Sequence, residues 1–266
     1  MMDLIAPRVF CVGTHHKTGT LWMRAVFRRL AGALGVDQHV VYPRVAKKVI
    51  PDNDRVFLFS WSSLFAEFVT SRPDARILHL IRDPRDVLLS GYRYHQHAPE
   101  KGEQFLHEPR PDLEGKTYQA HLNALPDETS KLLFEMREKH AKTVAEMLAW
   151  DYDRPNTLER RYEDLMVDTE CAMFRQTLRD LGLIESEVQT GAKIFWEQSL
   201  FGGLADKDAR GDRVAQHVAS GQVAQWRTQL PRAVAEPYAE EFGDALVTLG
   251  YETHPTAWLA EVRHAA

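Results

Sequence analysis

The chain has 266 residues, 44% of them hydrophobic, and a net charge of −5. That supply of apolar residues excludes wholesale disorder, and the acidic balance excludes a general nucleic-acid binder, whose footprint is basic. Two cysteines, Cys11 and Cys171, are too few for a disulfide scaffold and match no zinc spacing.

No basic stretch leads into an apolar run at the N-terminus, so no signal peptide is expected. The longest uncharged apolar run, residues 56–66, is too short to span a bilayer. The expectation is a cytoplasmic protein with no membrane span. Residues 8–12 (RVFCV) read as a buried strand that ends at Gly13. From Thr20, residues Leu21, Met23, Val26, Phe27 and Leu30 recur at helical spacing, and Gly35 is the stop. Residues 55–59 and 76–81 read as a second and a third strand. Asp83 then serves as an N-cap, Pro84 takes the first helical position and Asp86 adds charge to the first turn, which predicts a helix over 84–95. Residues 157–162 read as a further strand, 168–181 as a helix closed by Gly182, and roughly 232–249 as a last amphipathic helix. Strands alternating with helices predict an α/β fold around a parallel sheet covered on both faces.

Residues 97–130 break the alternation with Pro99, Pro109, Pro111, Pro126, Gly102 and Gly115. Long irregular segments of this kind serve as lids or binding loops. This one is the candidate acceptor-binding or lid insertion in a single domain over 1–266, with Phe105, Tyr118 and Leu122 as lining residues. A second Gly-rich polar segment covers 202–225.

Two short motifs carry chemistry. VGTHHKTGTLW follows the first strand and opens a helix. The N–H groups of a helix start favour an anion, Lys17 supplies a point charge, Gly19 lets the backbone approach closely, and Thr18 and Thr20 supply hydroxyls. This is a phosphate cradle, yet not a nucleotide-triphosphatase P-loop, because the Lys precedes the Gly. The second motif is Arg82 at the end of the third strand, with Ser90 eight residues later. A magnesium-dependent nucleotide enzyme commonly holds its metal here through an Asp; Arg instead presents a planar fork of donors for phosphate oxygens.

Together, a strand–HKTGTLW–helix unit and a strand–RDPRDVLLS–helix unit resemble the sulfotransferases that use 3′-phosphoadenosine 5′-phosphosulfate (PAPS). RYEDL at 161–165 resembles that family's Tyr-Glu-Asp strand end, and Gly221 and Trp226 keep the spacing of its C-terminal loop. The resemblance runs from about residue 8 to residue 230. It implies a three-layer, P-loop-kinase-like fold with a central, mostly parallel sheet flanked by helices. It also implies that Lys17 meets the oxygen bridging phosphate and sulfate, that Thr18, Gly19, Thr20 and Leu21 hold the 5′-phosphate, that Trp22 stacks on the adenine and Tyr162 contacts it, and that Arg82 and Ser90 select the 3′-phosphate. The C-terminal loop carries Ala219, Ser220 and Gly221 where many members have Arg-Lys-Gly, so Ser220 and Gly221 keep the loop without its two charges. The family's His between the two phosphate motifs has no counterpart in FLFSWSSLF, residues 57–65. His16, beside Lys17, is the first candidate for general base, ahead of His95, His97 and Glu67.

The implied reaction is in-line sulfuryl transfer to a hydroxyl or amine of a small-molecule, glycan or lipid acceptor, with PAPS as co-substrate and no metal. Two other readings remain open on the same residues: a nucleotide or small-molecule kinase on a related fold, and a non-catalytic protein that binds PAPS or its product, 3′-phosphoadenosine 5′-phosphate (PAP).

Overall fold

Five short runs pair side by side as a fully parallel sheet in the order β2-β3-β1-β4-β5. They are β1 (Val9–Gly13), β2 (Asp37–Val40), β3 (Val56–Ser60), β4 (Ala75–Ile81) and β5 (Thr157–Arg161). The computed structural model describes residues 6–41, 50, 54–203 and 222–263. The chain divides into two compact units, Met1–Arg82 with Ala149–Arg213 and Asp83–Leu148 with Val214–Ala266.

The first unit holds the sheet. Its inner strands are almost wholly apolar because both of their faces are covered. Alternate residues serve opposite faces. Phe10, Val12, Phe57, Phe59, Leu78 and Leu80 pack with residues of α1 (Thr20–Leu34), α8 (Ala172–Asp180) and α9 (Glu185–Gln198), among them Phe27, Phe174 and Phe195. Val9, Cys11, Val56, Leu58 and Ile77 pack on the other face with Val41 and Val69.

The four expected strands are present with ends shifted by one residue at most. β2 was not expected: it is a polar edge strand, DQHV, whose residues are exposed or half-buried, so it has no apolar signature. Tyr162 lies just past β5 and opens a short helix, α7 (Tyr162–Met166). The helix expected from 168 starts at Ala172, yet Asp168 does cap it, accepting from the N–H groups of Met173 at 3.1 Å and Phe174 at 2.8 Å.

The second unit is helical. α3 (Pro84–His95) begins as its sequence implies, with Asp83 Oδ1 accepting from Arg85 N–H at 2.9 Å. Leu88, Leu89 and Tyr92 of α3 pack with Val234, Ala235 and Tyr238 of the helix Arg232–Thr248 and with Trp226 and Trp258. The buried Arg85 pairs with Asp83 at 2.8 Å and Glu252 at 2.5 Å, and its guanidinium lies 3.7 Å from the Trp226 ring centre. Trp226, which with Gly221 keeps the spacing of the family's C-terminal loop, is a core residue, and its backbone N–H donates to Asp86 Oδ1 at 3.0 Å.

Residues 97–130 are more ordered than their prolines suggest. They hold two single-turn 3₁₀ helices and α4 (Tyr118–Ala124). Tyr118 and Leu122, expected to line an acceptor pocket, are buried in the core of this unit, and Phe105 packs against it. Beyond them, α5 (Glu128–Glu135) runs through a π-helical turn at Met136–His140 into α6 (Ala141–Leu148).

Candidate active site

Between β1 and α1 the chain makes a compact loop whose hydrogen bonds converge on His15. The His15 carbonyl accepts from Thr18 N–H at 3.2 Å, Thr18 Oγ1 at 3.0 Å and Thr20 Oγ1 at 2.8 Å. The His15 N–H returns a bond to Thr18 Oγ1 at 2.9 Å. Thr14 and Thr20 share a hydroxyl contact of 2.9 Å, and Ser63 Oγ donates to the Thr14 carbonyl at 3.2 Å. The threonines of the motif therefore brace the loop from within.

Two backbone features open the loop toward an anion. Lys17 has φ 64°, a left-handed conformation that side chains rarely adopt. Gly19 has φ 101°, and a Cβ there would stand 3.0 Å from the Tyr162 ring. The first intrahelical bond of α1 runs from Met23 N–H to the Gly19 carbonyl at 3.0 Å. The N–H groups of Thr20, Leu21 and Trp22 precede that ladder, and no side chain caps the helix. Donors without intrahelical partners and the positive end of a fifteen-residue helix make a ready anion site.

Arg82, the residue after β4, is brought to this loop. Its Nη1 donates to the Lys17 carbonyl at 3.2 Å, and its guanidinium lies 4.4 Å from the Tyr162 ring centre. Tyr162 is itself buried, so it forms a floor beneath both Gly19 and Arg82. Trp22 is half-buried; its indole stacks on Phe195 with centroids 4.9 Å apart and meets Tyr162 edge-on at 6.1 Å. Leu21 is exposed.

The first unit thus gathers Lys17, Thr18, Gly19, Thr20, Leu21, Trp22, Arg82 and Tyr162, with the half-buried His16 beside Lys17. Ser90 is half-buried on α3 in the second unit. Ser220 and Gly221 lie outside the described residues.

Sequence reasoning missed what lies under the loop. His15 and His79 are both fully buried, with their Nε2 atoms 2.9 Å apart. His79 belongs to β4, and its ring stacks on Trp150 with centroids 4.3 Å apart. Its Nδ1 faces Glu159 Oε2 at 3.6 Å, an electrostatic contact longer than a hydrogen bond. Burial pushes the His79 imidazole down to about 4, with His15 adding to the effect and Glu159 opposing it. The HH doublet was visible in the sequence, but its partner is 64 residues away and carries no motif.

A family model described as the sulfotransferase domain matches residues 7–250. The chain belongs to the sulfotransferase domain family, an enzyme family of sulfuryl transfer. Among solved structures, mouse sulfotransferase SULT7A1 in complex with PAP is 18% identical, with a TM-score of 0.51 over 90% of this chain and 84% of that one. That likeness shows the shared fold, which is P-loop-kinase-like. Retinol dehydratase in complex with androsterone and PAP is 14% identical, with a TM-score of 0.49 over 91% of this chain and 81% of that one. A sulfotransferase from Alicyclobacillus acidocaldarius is 15% identical, with a TM-score of 0.33 over 67% of this chain and 81% of that one. No curated protein matches by sequence. No helix among the described residues is long and apolar enough to cross a membrane.

Proposed function

We propose that this sulfotransferase takes its sulfuryl group from PAPS, and that the loop at 14–20 is the site of the transferred group. The observation that supports this most is the convergence of three cationic or donor elements: the uncapped N-terminus of α1, the left-handed Lys17 and the Arg82 guanidinium tied to the Lys17 carbonyl. In this reading the N–H groups of the first turn, with Thr18, Gly19, Thr20 and Leu21, hold the 5′-phosphate. Trp22 and Tyr162 supply aromatic surface for the adenine. Arg82 takes the 3′-phosphate, and Ser90, Ser220 and Gly221 are further proposed nucleotide contacts.

The acceptor oxygen or nitrogen attacks sulfur in line as the bond from sulfur to the bridging oxygen breaks. The electron pair leaves on the 5′-phosphate, and Lys17 stabilises that developing charge. The acceptor's proton goes to His16. The step needs no metal, since Arg82 takes the place where a magnesium enzyme uses a carboxylate. The acceptor is a small molecule, glycan or lipid, and residues 97–130 are the segment proposed to recognise it. Both cysteines are free and buried, which fits a reducing cytoplasm.

Calorimetry of PAP beside ADP and ATP, with and without Mg²⁺, tests the reading. Tight, metal-independent binding that requires the 3′-phosphate is expected. Arg82→Ala should weaken PAP binding at least tenfold more than ADP binding. Preference for ATP with Mg²⁺, or equal loss for both nucleotides in the variant, would overturn it.

A further inference from the structure

The loop that holds the anion must be held in turn, and its fixed point is His15. Four hydrogen bonds join the His15 peptide to Thr18 and Thr20. Its side chain reaches the sheet through the bond to His79. His79 is clamped in turn: the Trp150 ring lies parallel to it within 15°, Tyr152 packs edge-on at 5.7 Å, and Glu159 faces it from β5, where the two residues are paired in register.

We propose that His15 and His79 are positioning residues for the sulfuryl-donor loop, and that their shared Nε2–Nε2 hydrogen bond is the latch that sets its geometry. This rests on the proposal that residues 14–20 bind PAPS. A hydrogen bond between two imidazole nitrogens needs one nitrogen bearing the proton and one accepting it. The neutral pair meets that condition, and so does the pair with one added proton. Adding a second proton makes both nitrogens donors and breaks the bond. The titratable groups facing the pair are Glu159 and Tyr152 on the sheet side, with His16 and Lys17 next to it on the loop. Glu159 is the carboxylate that faces His79 among the described residues, and it does not close to hydrogen-bond length. Burial disfavours charge on His79, and His15 disfavours it further. The latch is therefore closed at neutral pH and opens in acid. Opening frees the His15 peptide to move and, with it, the hydroxyls and N–H groups that Thr18 and Thr20 present.

Two variants and two readouts test this. His79→Phe keeps the stacked ring and removes the latch. His79→Gln keeps a polar atom near the Nε2 position but does not titrate in this range. The first readout is donor KM and PAP affinity against acceptor KM. The second is hydrogen exchange of the segment 14–22 in ligand-free protein, corrected for intrinsic pH dependence. His79→Phe should raise donor KM and PAP Kd at least tenfold, leave acceptor KM within twofold, and speed exchange of the loop. His79→Gln should recover most of that loss at pH 7.5. In the wild type, loop protection should fall as pH drops from 6.5 toward 4, and His79→Gln should flatten that fall. If His79→Phe does not fold, the acid limb of His79→Gln decides alone. Loop exchange with the same acid limb in the wild type and His79→Gln would overturn the proposal. A wild-type protein that fails to bind PAP would instead overturn the reading of the donor, while loop exchange would still decide the latch.

Discussion

Each unit buries a histidine network, and the two are built on opposite principles. In the helical unit, His95 Nδ1 lies 2.8 Å from Glu135 Oε2, and the Tyr118 hydroxyl donates to the same oxygen at 2.7 Å. All three side chains are buried among apolar neighbours, with Phe105 edge-on to both rings. Gly91, one turn before His95, makes room: a Cβ there would stand 2.9 Å from Glu135 Oε1. One carboxylate oxygen accepts from both side chains at once. It also raises the phenol of Tyr118, though burial is the larger cause. In the sheet unit, His79 faces another imidazole, and its nearest carboxylate, Glu159, stands off at 3.6 Å. In the first network the Glu135 carboxylate oxygen is saturated, with two donors on it. In the second, Glu159 stands beyond hydrogen-bond length from His79, and the pair is tied to the loop proposed to bind the anion. Saturation suits a core; the shortfall suits a part that must respond to a ligand or a proton.

The largest effect on stability should come from breaking the saturated network. Glu135→Ala strands the His95 Nδ1–H and Tyr118 hydroxyl donors and leaves a cavity, at a cost of about 3 kcal/mol. For a chain of this size that is a fall in Tm of roughly 10 °C. Calorimetric unfolding checks it. A Tm within 2 °C of the wild type would mean that this network is not what holds the helical unit, and the contrast drawn above would fail.

Acid should find the other network. The folded His79 value is about 4 against 6.5 for the free side chain. A depressed histidine gives stability that is fully present above 6.5, where neither state is protonated. It is lost as pH falls from 6.5 toward 4, because the unfolded chain takes up the proton first. The loss approaches about 3 kcal/mol at the lower end. His140, which bonds the Tyr238 hydroxyl at 2.9 Å in the helical unit, is pushed to about 3 by burial and adds a loss of the same sign over a wider window. The two separate by substitution. His79→Gln should remove the part of the acid loss between 6.5 and 4, and leave the His140 part in place. Denaturant midpoints measured at intervals from pH 7.5 to 4 decide it; parallel curves for the variant and the wild type would assign the loss elsewhere.

What the sequence made legible follows the same division. Strands buried on both faces betray themselves as apolar runs, and the inner strands were read within a residue of their ends. The polar edge strand at Asp37–Val40 had no such signal. RDPRD could be read because its logic is local: Asp83 caps, Pro84 starts and Asp86 sits in the first turn. The strand-to-helix loop at 14–20 was legible for the same reason. The latch was not, since His15 and His79 meet only through the sheet, where Gly13 and His79 stand side by side in neighbouring strands. Glu135 and His95, 40 residues apart on different helices, were hidden likewise. Trp226 was legible as a motif position and not as a core residue. Its spacing from Gly221 fitted a loop motif, while its ring belongs to the core beside Arg85 and Trp258.

The smallest predicted effect separates the loop's chemistry from its shape. Lys17 holds a left-handed φ of 64° that its side chain disfavours, so its conformation costs about 1 kcal/mol that a glycine would not incur. Lys17→Ala and Lys17→Gly both delete the charge, and both should lower kcat by roughly a hundredfold or more, as expected when a group that stabilises developing charge is removed. They should part in stability. Lys17→Gly should be the more stable of the two by about 1 kcal/mol, because only glycine takes that backbone shape without strain. Equal stability of the two variants would mean that the loop relaxes once the lysine is gone. The left-handed turn would then be a consequence of the side chain's placement, and the strain would not be built into the sheet-side anchor at His15.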